Sequence, residues 1–291
     1  MNIKRLQVPV GGKGFKLHKT PTDDTEGVKD EKDATKRLEA ARARLEKQQE
    51  KLYADDKWAI LCLFQAMDAA GKDGTIKYVM SGVNPQGCQV YSFKSPSAEE
   101  LDHDYMWRSM RALPERGRIG IFNRSYYEEV LVIKVHPEFL PAQKLPAVCQ
   151  KGDFWGRRYR DINNIERYFV DNGVLPIKFF LHVGKEEQRQ RLLARLDKPK
   201  KNWKFSNADL KERALWDQYT DAANDMLRET STAHAPWYVI PADHKWFARV
   251  AVAEVITQRL EALSLSFPEV SDARKEELGR MKKILESEKK K

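Results

Sequence analysis

Cysteine is scarce. The 291 residues hold three, Cys62, Cys88 and Cys149, too few and too scattered for a disulfide framework or a zinc cage. The expected compartment is therefore a reducing cytoplasm. Long apolar runs are also missing. A membrane helix needs roughly 18 apolar residues in succession, and the best run here, Trp58 to Phe64, is strand-length. The opening Met1-Asn2-Ile3-Lys4-Arg5 leads into no apolar segment, so no secretory signal is read from it. With 15 Gly and 13 Pro, the chain is neither collagen-like nor of low complexity. Its six histidines form no evident metal pair, and no Ser-His-Asp or Cys-His arrangement for nucleophilic catalysis stands out.

What is present is a soluble globular composition, 41% hydrophobic and 33% charged, with length enough for a sizeable core. Lys and Arg number 52 against 43 Asp and Glu, a net charge of +9. Such a surface attracts polyanions without choosing among nucleic acid, anionic membranes, nucleotides and phosphate polymers.

Residues 1–30 lack periodicity and read as an extended arm. From Asp33 to about Tyr53, Leu38, Leu45 and Leu52 recur every seven residues beside Ala34 and Ala41. This predicts an amphipathic helix, with a dimer seam as one use of the stripe. Five strand candidates follow: 58–64, 89–93, 118–122, 176–183 and 236–240. Helical patterns lie between them, notably at about 157–171, 185–196, 207–230 and 244–263. Strands alternating with helices predict a parallel sheet covered on both faces. Residues 266–291 read as a charged helix or tail ending in Lys289-Lys290-Lys291.

The segment after the first strand is the most informative. Ala66-Met67-Asp68-Ala69-Ala70-Gly71-Lys72-Asp73-Gly74-Thr75 lies between a buried strand and a helix, where backbone N–H groups and the helix N-terminus form an anion nest. Against the phosphate-loop pattern G-x-x-x-x-G-K-[ST], Gly71 and Lys72 match. Ala66 replaces the first glycine and Asp73 the hydroxyl. Gly71 and Gly74 allow close backbone approach, and Lys72 supplies a point charge. A carboxylate inside such a loop repels phosphate unless a divalent cation intervenes, so Asp68 points to Mg²⁺; as a turn-capping residue it would need none.

Asn123 and Arg124 follow the third strand, and ligands of parallel sheets bind at strand carboxyl ends. Glu128 lies four residues beyond Arg124, which also fits an ordinary helical ion pair. From Glu187 to Trp216 there are nine basic and four acidic residues. Arg191 and Arg195 are one helical turn apart, and the Lys198–Phe205 stretch that follows reads as a lid able to carry arginines over a phosphoryl group.

Five stretches together resemble the family 2 polyphosphate kinases: 66–75, Phe-Lys-Ser-Pro-Ser at 93–97, Leu-Asp-His-Asp-Tyr-Met-Trp-Arg at 101–108, Ile-Phe-Asn-Arg-Ser-Tyr-Tyr-Glu at 121–128 and Lys-Asn-Trp-Lys-Phe-Ser at 201–206. The resemblance runs from about residue 30 to 265. It implies an α/β protein with the three-layer α/β/α P-loop kinase fold, akin to thymidylate kinase: a five-stranded parallel sheet with a helical lid at about 187–206 in a domain spanning 31–265. It implies reversible transfer of a terminal phosphoryl group between inorganic polyphosphate and a nucleotide (AMP, ADP or ATP) with Mg²⁺, which Mn²⁺ can replace.

By the same resemblance Asp68, Lys72, Arg124, Arg191 and Arg195 are catalytic, with Asp68 on the metal. Ala69, Ala70, Gly71, Asp73, Gly74, Thr75, Asn123 and Glu128 contact phosphate or nucleotide. Lys94, Arg108, Lys201 and Lys204 line the polyphosphate path. Many members carry Asp where this chain has Asn123; asparagine keeps an oxygen ligand and loses a charge. The pairing of Asn123 with Glu128 resembles the branch that accepts both AMP and ADP. A homodimer or homotetramer is expected, without nucleic-acid or membrane partners. The competing readings are an ATP-dependent nucleotide kinase and a single-stranded nucleic-acid binder using Trp203 and Phe205 beside lysines.

Overall fold

Short apolar runs bounded by turns become buried strands, and the amphipathic stretches between them become helices laid on the sheet. In chain order the elements are α1 (Glu31–Asp55), β1 (Ala59–Ala66), α2 (Lys72–Val79), β2 (Cys88–Ser92), α3 (Ala98–Leu101), α4 (Trp107–Arg111), β3 (Ile119–Asn123) and α5 (Glu128–Val135). They continue with α6 (Phe154–Asp171), β4 (Val174–His182), α7 (Lys185–Leu196), α8 (Asn207–Ala214), α9 (Trp216–Thr230), β5 (Trp237–Pro241), α10 (Lys245–Glu261) and α11 (Asp272–Ser287). The computed structural model describes residues 1–288, with Lys204 as backbone alone. The Lys204 side chain and Lys289-Lys290-Lys291 lie outside the described residues.

The strands are all parallel, in the order β2-β3-β1-β4-β5. From central β1 the chain runs out to β2, returns to β3 and then crosses to β4. In open α/β sheets the crevice at such a reversal, beyond the strand carboxyl ends, is the binding position. Phe64 pairs with both Asn123 and Phe179; β3 ends at that level, while β1 and β4 run on side by side to Ala66 and Leu181.

Side chains alternate across the sheet. Ile60, Cys62 and Phe64 join Ile177 and Phe179 in one core under α1, α2 and α10. Leu61, Leu63, Phe122 and Phe180 form the other under α5, α6 and α9. Full burial of each such side chain contributes about 1.5–3 kcal/mol. Among the described residues no helix is long and apolar enough to cross a membrane.

Three expectations change. Leu38, Leu45 and Leu52 are buried within the chain, in the core that α10 also lines. That stripe is therefore consumed internally and offers no dimer seam. The single helix predicted over 207–230 is two helices: Leu215 leaves helical geometry (φ −91°, ψ 19°). The break lets α9 lie on the sheet while α8 follows α7. The arm over residues 1–30 is docked rather than free. Leu6, Val8, Leu17 and Val28 are buried. Gln7 bridges Tyr238 in antiparallel fashion, and the Val8 N–H donates to the Trp237 carbonyl at 2.9 Å. The arm thereby covers part of the outer edge of β5, an edge that would otherwise invite pairing with another chain.

Candidate active site

The loop from Met67 to Gly71 turns sharply between β1 and α2. Ala69 (φ 60°) and Gly71 (φ 105°) both adopt left-handed backbone, a conformation in which glycine carries no Cβ penalty. Three successive loop carbonyls point toward α7. Gln188 Nε2 donates to the Asp68 carbonyl at 2.9 Å. Arg191 Nη1 donates to those of Ala69 and Ala70 at 3.2 and 2.7 Å. A trans peptide directs its N–H opposite its carbonyl. The N–H groups of Ala69 and Gly71 therefore face away from α7, while that of Ala70 closes a turn onto Met67 at 3.3 Å. The first N–H groups of α2 have no intrahelical partner, which completes a donor-rich hollow.

Arg191 was expected over the transferring group. The structure places it behind the loop instead. Its Nη2 donates to the Ala242 and Asp243 carbonyls at 2.6 and 3.0 Å, and its Nε to Glu187 at 2.6 Å. With every guanidinium nitrogen engaged, Arg191 holds the loop to α7 and the end of β5. Arg195 ion-pairs with Asp209 at 3.3 Å and joins α7 to the capped start of α8.

Charged side chains cluster on the hollow's other side. Lys72 Nζ donates to the Ala66 carbonyl at 3.2 Å. Burial lowers its proton affinity, and Asp68 is the strongest charge opposing that. Arg124, left-handed at φ 67°, stands just after β3, where its N–H donates to the Phe64 carbonyl at 3.0 Å. Its guanidinium lies 3.4 Å from Asp68 and 3.9 Å from Glu128. Arg124 precedes α5, so the pair with Glu128 is not an intrahelical one. Asn123 Nδ2 donates to Asp73 Oδ1 at 2.8 Å. Thr75 is buried, and its N–H is used on the Gly71 carbonyl at 2.9 Å. Gly74, with open space at its Cα, lies in the first turn of α2.

Asp68, Asp73 and Glu128 all act electrostatically on Lys72, against Arg124. This set, three carboxylates with two cations, disfavours a polyanion on its own. The Asp68 side chain is one-third exposed, a hard oxygen donor beside the hollow. Mg²⁺ is held by one or two carboxylates together with phosphate oxygens and water, so the donor set fits such an ion.

Burial raises the Glu128 carboxyl above its ordinary range, while Arg124 and Lys72 pull the other way. A carboxyl with a raised folded value stabilises the fold at low pH and loses that contribution as pH climbs from the unfolded value toward the folded one. Glu128→Gln should therefore gain stability relative to the parent between about pH 4 and pH 7. Urea midpoints at the two pH values check this; an unchanged difference would sink it.

Beside the hollow, the chain after β2 borders a groove of about 510 Å³ lined by Phe93, Lys94, Trp107, Arg108 and Arg111 among others. The Phe93 N–H donates to the Asn123 carbonyl at 3.1 Å, which ties this groove to the end of β3. Lys94 is exposed. Arg108 donates to the Lys94 carbonyl at 2.8 Å, approaches Glu100 at 3.6 Å and lies over the Phe93 ring. Lys201 is exposed in the turn between α7 and α8.

Sequence reasoning missed Gln188 and Gln65. Gln188 lies three residues before Arg191, on the same helical face, and that spacing could have found it. Gln65, fully buried on β1, donates to Glu128 at 2.9 Å; nothing in an apolar strand pattern signals it.

Residues 28–267 match the sequence model of the family described as Polyphosphate kinase 2 (PPK2). The chain is 51% identical over 287 residues to an ADP-polyphosphate phosphotransferase of Rhodopseudomonas palustris, covering 98% of this chain and 99% of that one. It is 44% identical over 272 residues to an AMP/ADP-polyphosphate phosphotransferase of Meiothermus ruber, covering 93% and 97%. The crystal structure of polyphosphate kinase 2 from Arthrobacter aurescens superposes with a TM-score of 0.84 at 37% identity, covering 97% of this chain and 98% of that one. The parallel sheet with helices on both faces is the P-loop kinase architecture expected from the sequence. With a phosphate-type loop, two cations and an acidic residue at the sheet's switch point, and with matches spanning nearly its whole length, the chain belongs to the polyphosphate kinase 2 family.

Proposed function

We propose that the protein transfers the terminal phosphoryl group of inorganic polyphosphate to AMP and ADP, reversibly. The observation that carries this reading is the loop itself. Its carbonyls are turned onto Gln188 and Arg191, while Lys72, Arg124 and Asp68 surround the opposite side. The relatives in Rhodopseudomonas and Meiothermus, named for ADP and for AMP/ADP, support the acceptor class.

Phosphoryl transfer depends on positioning and charge neutralisation more than on covalent chemistry. The loop N–H groups and Lys72 receive the end of the donor. Arg124 meets the charge that spreads over the transferring group. The acceptor is an anionic phosphate oxygen, so no strong general base is needed. Lys94, Arg108 and Lys201 extend positive charge along the polymer's path. We read the lid, expected at about 187–206, as extending through α8, so that it comprises α7, its basic turn and α8, with Arg191 and Arg195 bracing it from behind. Mg²⁺ or Mn²⁺, held by Asp68, would offset the negative charge of the phosphates.

The reading is tested by offering long-chain polyphosphate with AMP or ADP in Mg²⁺ and no ATP. Phosphorylation of both is expected. Product from ADP alone would remove AMP as an acceptor, and none from either would favour an ATP-dependent kinase. Asp68→Asn is expected to reduce turnover by about 10²-fold or more and to shift the Mg²⁺ titration to higher concentration. An unshifted titration would remove Asp68 from the metal.

A further inference from the structure

At the C-terminal end of α5, one histidine joins two elements that must keep their mutual position. His136 caps the C-terminus of α5, the helix that begins at Glu128. Its Nδ1 lies 2.9 Å from Glu138 Oε1, and its Nε2 lies 2.9 Å from Glu212 Oε2. Glu212 is on α8. The same Glu212 oxygen accepts from the Tyr219 hydroxyl of α9 at 2.6 Å. The imidazole stacks on Phe139 and is only 14% exposed.

The residue after Glu212 completes the connection. Arg213 donates to the Lys185 carbonyl at 2.7 Å and to Gln188 Oε1 at 2.8 Å. Gln188 in turn holds the Asp68 carbonyl. Neighbouring residues of α8 thus grip the end of α5 on one side and the phosphate loop, through Gln188, on the other.

Both ring nitrogens of His136 face carboxylates, and only an imidazolium can donate to both. We propose that His136 is a positioning residue: its doubly bonded imidazolium latches α8 to the body of the enzyme, and release of one proton to solvent loosens the lid and weakens polyphosphate binding. The proposal rests on reading the α7–α8 hairpin as the lid. A neutral ring retains one N–H. It then keeps one carboxylate and presents a lone pair to the other, and the charge attraction is lost with both. The titratable groups facing His136 are Glu138 from the following turn, Glu212 from α8 and Tyr219 from α9 through the shared oxygen. Burial opposes its protonation, but the bonds to Glu212 and Glu138 outweigh this and raise its proton affinity above the ordinary histidine value.

The first measurement needs no substrate. Ring C–H resonances of the intact protein are titrated, with His136 identified by its loss in His136→Gln. It should titrate above the ordinary value of about 6.5 and move down in Glu212→Gln. Amide exchange in α8, corrected for pH, should quicken about tenfold as His136 loses its proton. The second measurement is KM for polyphosphate from about pH 6 to 9. The parent KM should rise about tenfold through the His136 titration while kcat changes less than about twofold.

His136→Gln should show the high KM throughout. His136→Arg, whose planar fork can donate to two carboxylates, should keep the low one. The proposal is overturned if His136 titrates at or below the ordinary value, if α8 exchange ignores that titration, or if the KM profile survives unchanged in His136→Gln. If His136 and α8 respond as stated but the parent transfers no phosphoryl group, the phosphotransfer reading fails, and with it the claim on polyphosphate binding.

Discussion

Arg124→Ala is expected to lower polyphosphate-driven phosphorylation by about 10³-fold or more, with little change in the unfolding midpoint. The two halves of that expectation have different origins. The rate falls because the arginine acts on charge that exists mainly in the transition state. Stability holds because the side chain is 42% exposed and its pairs with Asp68 and Glu128 are long; such pairs contribute about 0–1 kcal/mol. Arg124→Gly sharpens the comparison. It should lose the same activity and gain a little stability, since the parent residue occupies left-handed backbone that glycine adopts without strain. Near-normal turnover in the alanine variant would remove Arg124 from the chemistry. A collapse of stability would make its role structural.

The reverse pattern is expected of Lys178→Met. Lys178 and Glu166 form an ion pair 2.6 Å long in which both side chains are fully buried. Lys178 also donates to the Tyr127 hydroxyl at 2.8 Å and the Thr230 carbonyl at 2.7 Å. Tyr126 and Tyr127 donate to the other Glu166 oxygen at 2.9 and 2.7 Å. Removing the ammonium leaves a buried carboxylate with two tyrosine hydroxyls and no countercharge from Lys178. Breaking such a pair costs about 3–5 kcal/mol, a fall in Tm on the order of 10 °C. Adding Glu166→Gln removes the stranded charge but keeps an acceptor for the tyrosines, so much of the loss should return. Thermal unfolding of the single and double variants checks both. A double variant no more stable than the single would mean that packing around the pair, not its charge, sets the cost.

Strand order along the chain, the loop after β1 and the turn after β3 were legible because they rest on local signals: apolar runs, small residues and the carboxyl ends of parallel strands. Function was legible from five motifs that agree in order. What escaped depends on which way a charged side chain turns. Arg191 and Arg195 share a helical face, as spacing predicted, but that face meets the back of the loop and the start of α8. Lys178 lies in a strand whose pattern is apolar, and its buried acceptors, Glu166 on α6 with Tyr127 and Thr230, make it tolerable there. The arm was opaque because Leu6, Val8, Leu17 and Val28 follow no period; each fills a separate gap. The break at Leu215 carries neither glycine nor proline, so no local signal in the sequence marks it.

The docked arm also sets an order of events during synthesis. Residues 6–22 are translated long before the groups that receive them: Trp237 and Tyr238 for Gln7 and Val8, Asn224 for the Leu17 N–H, and Asp243 for Thr22. Contacts so distant along the chain form late. Asp243, which Thr22 engages at 2.6 Å, also accepts from the Gly184 N–H at 2.7 Å and, through its carbonyl, from Arg191. A segment translated before its partners is thus expected to find its place late. Its docking covers part of the β5 edge and adds to the support behind the phosphate loop, so a molecule still awaiting its arm is at once incompletely braced for catalysis and open to pairing with a neighbour.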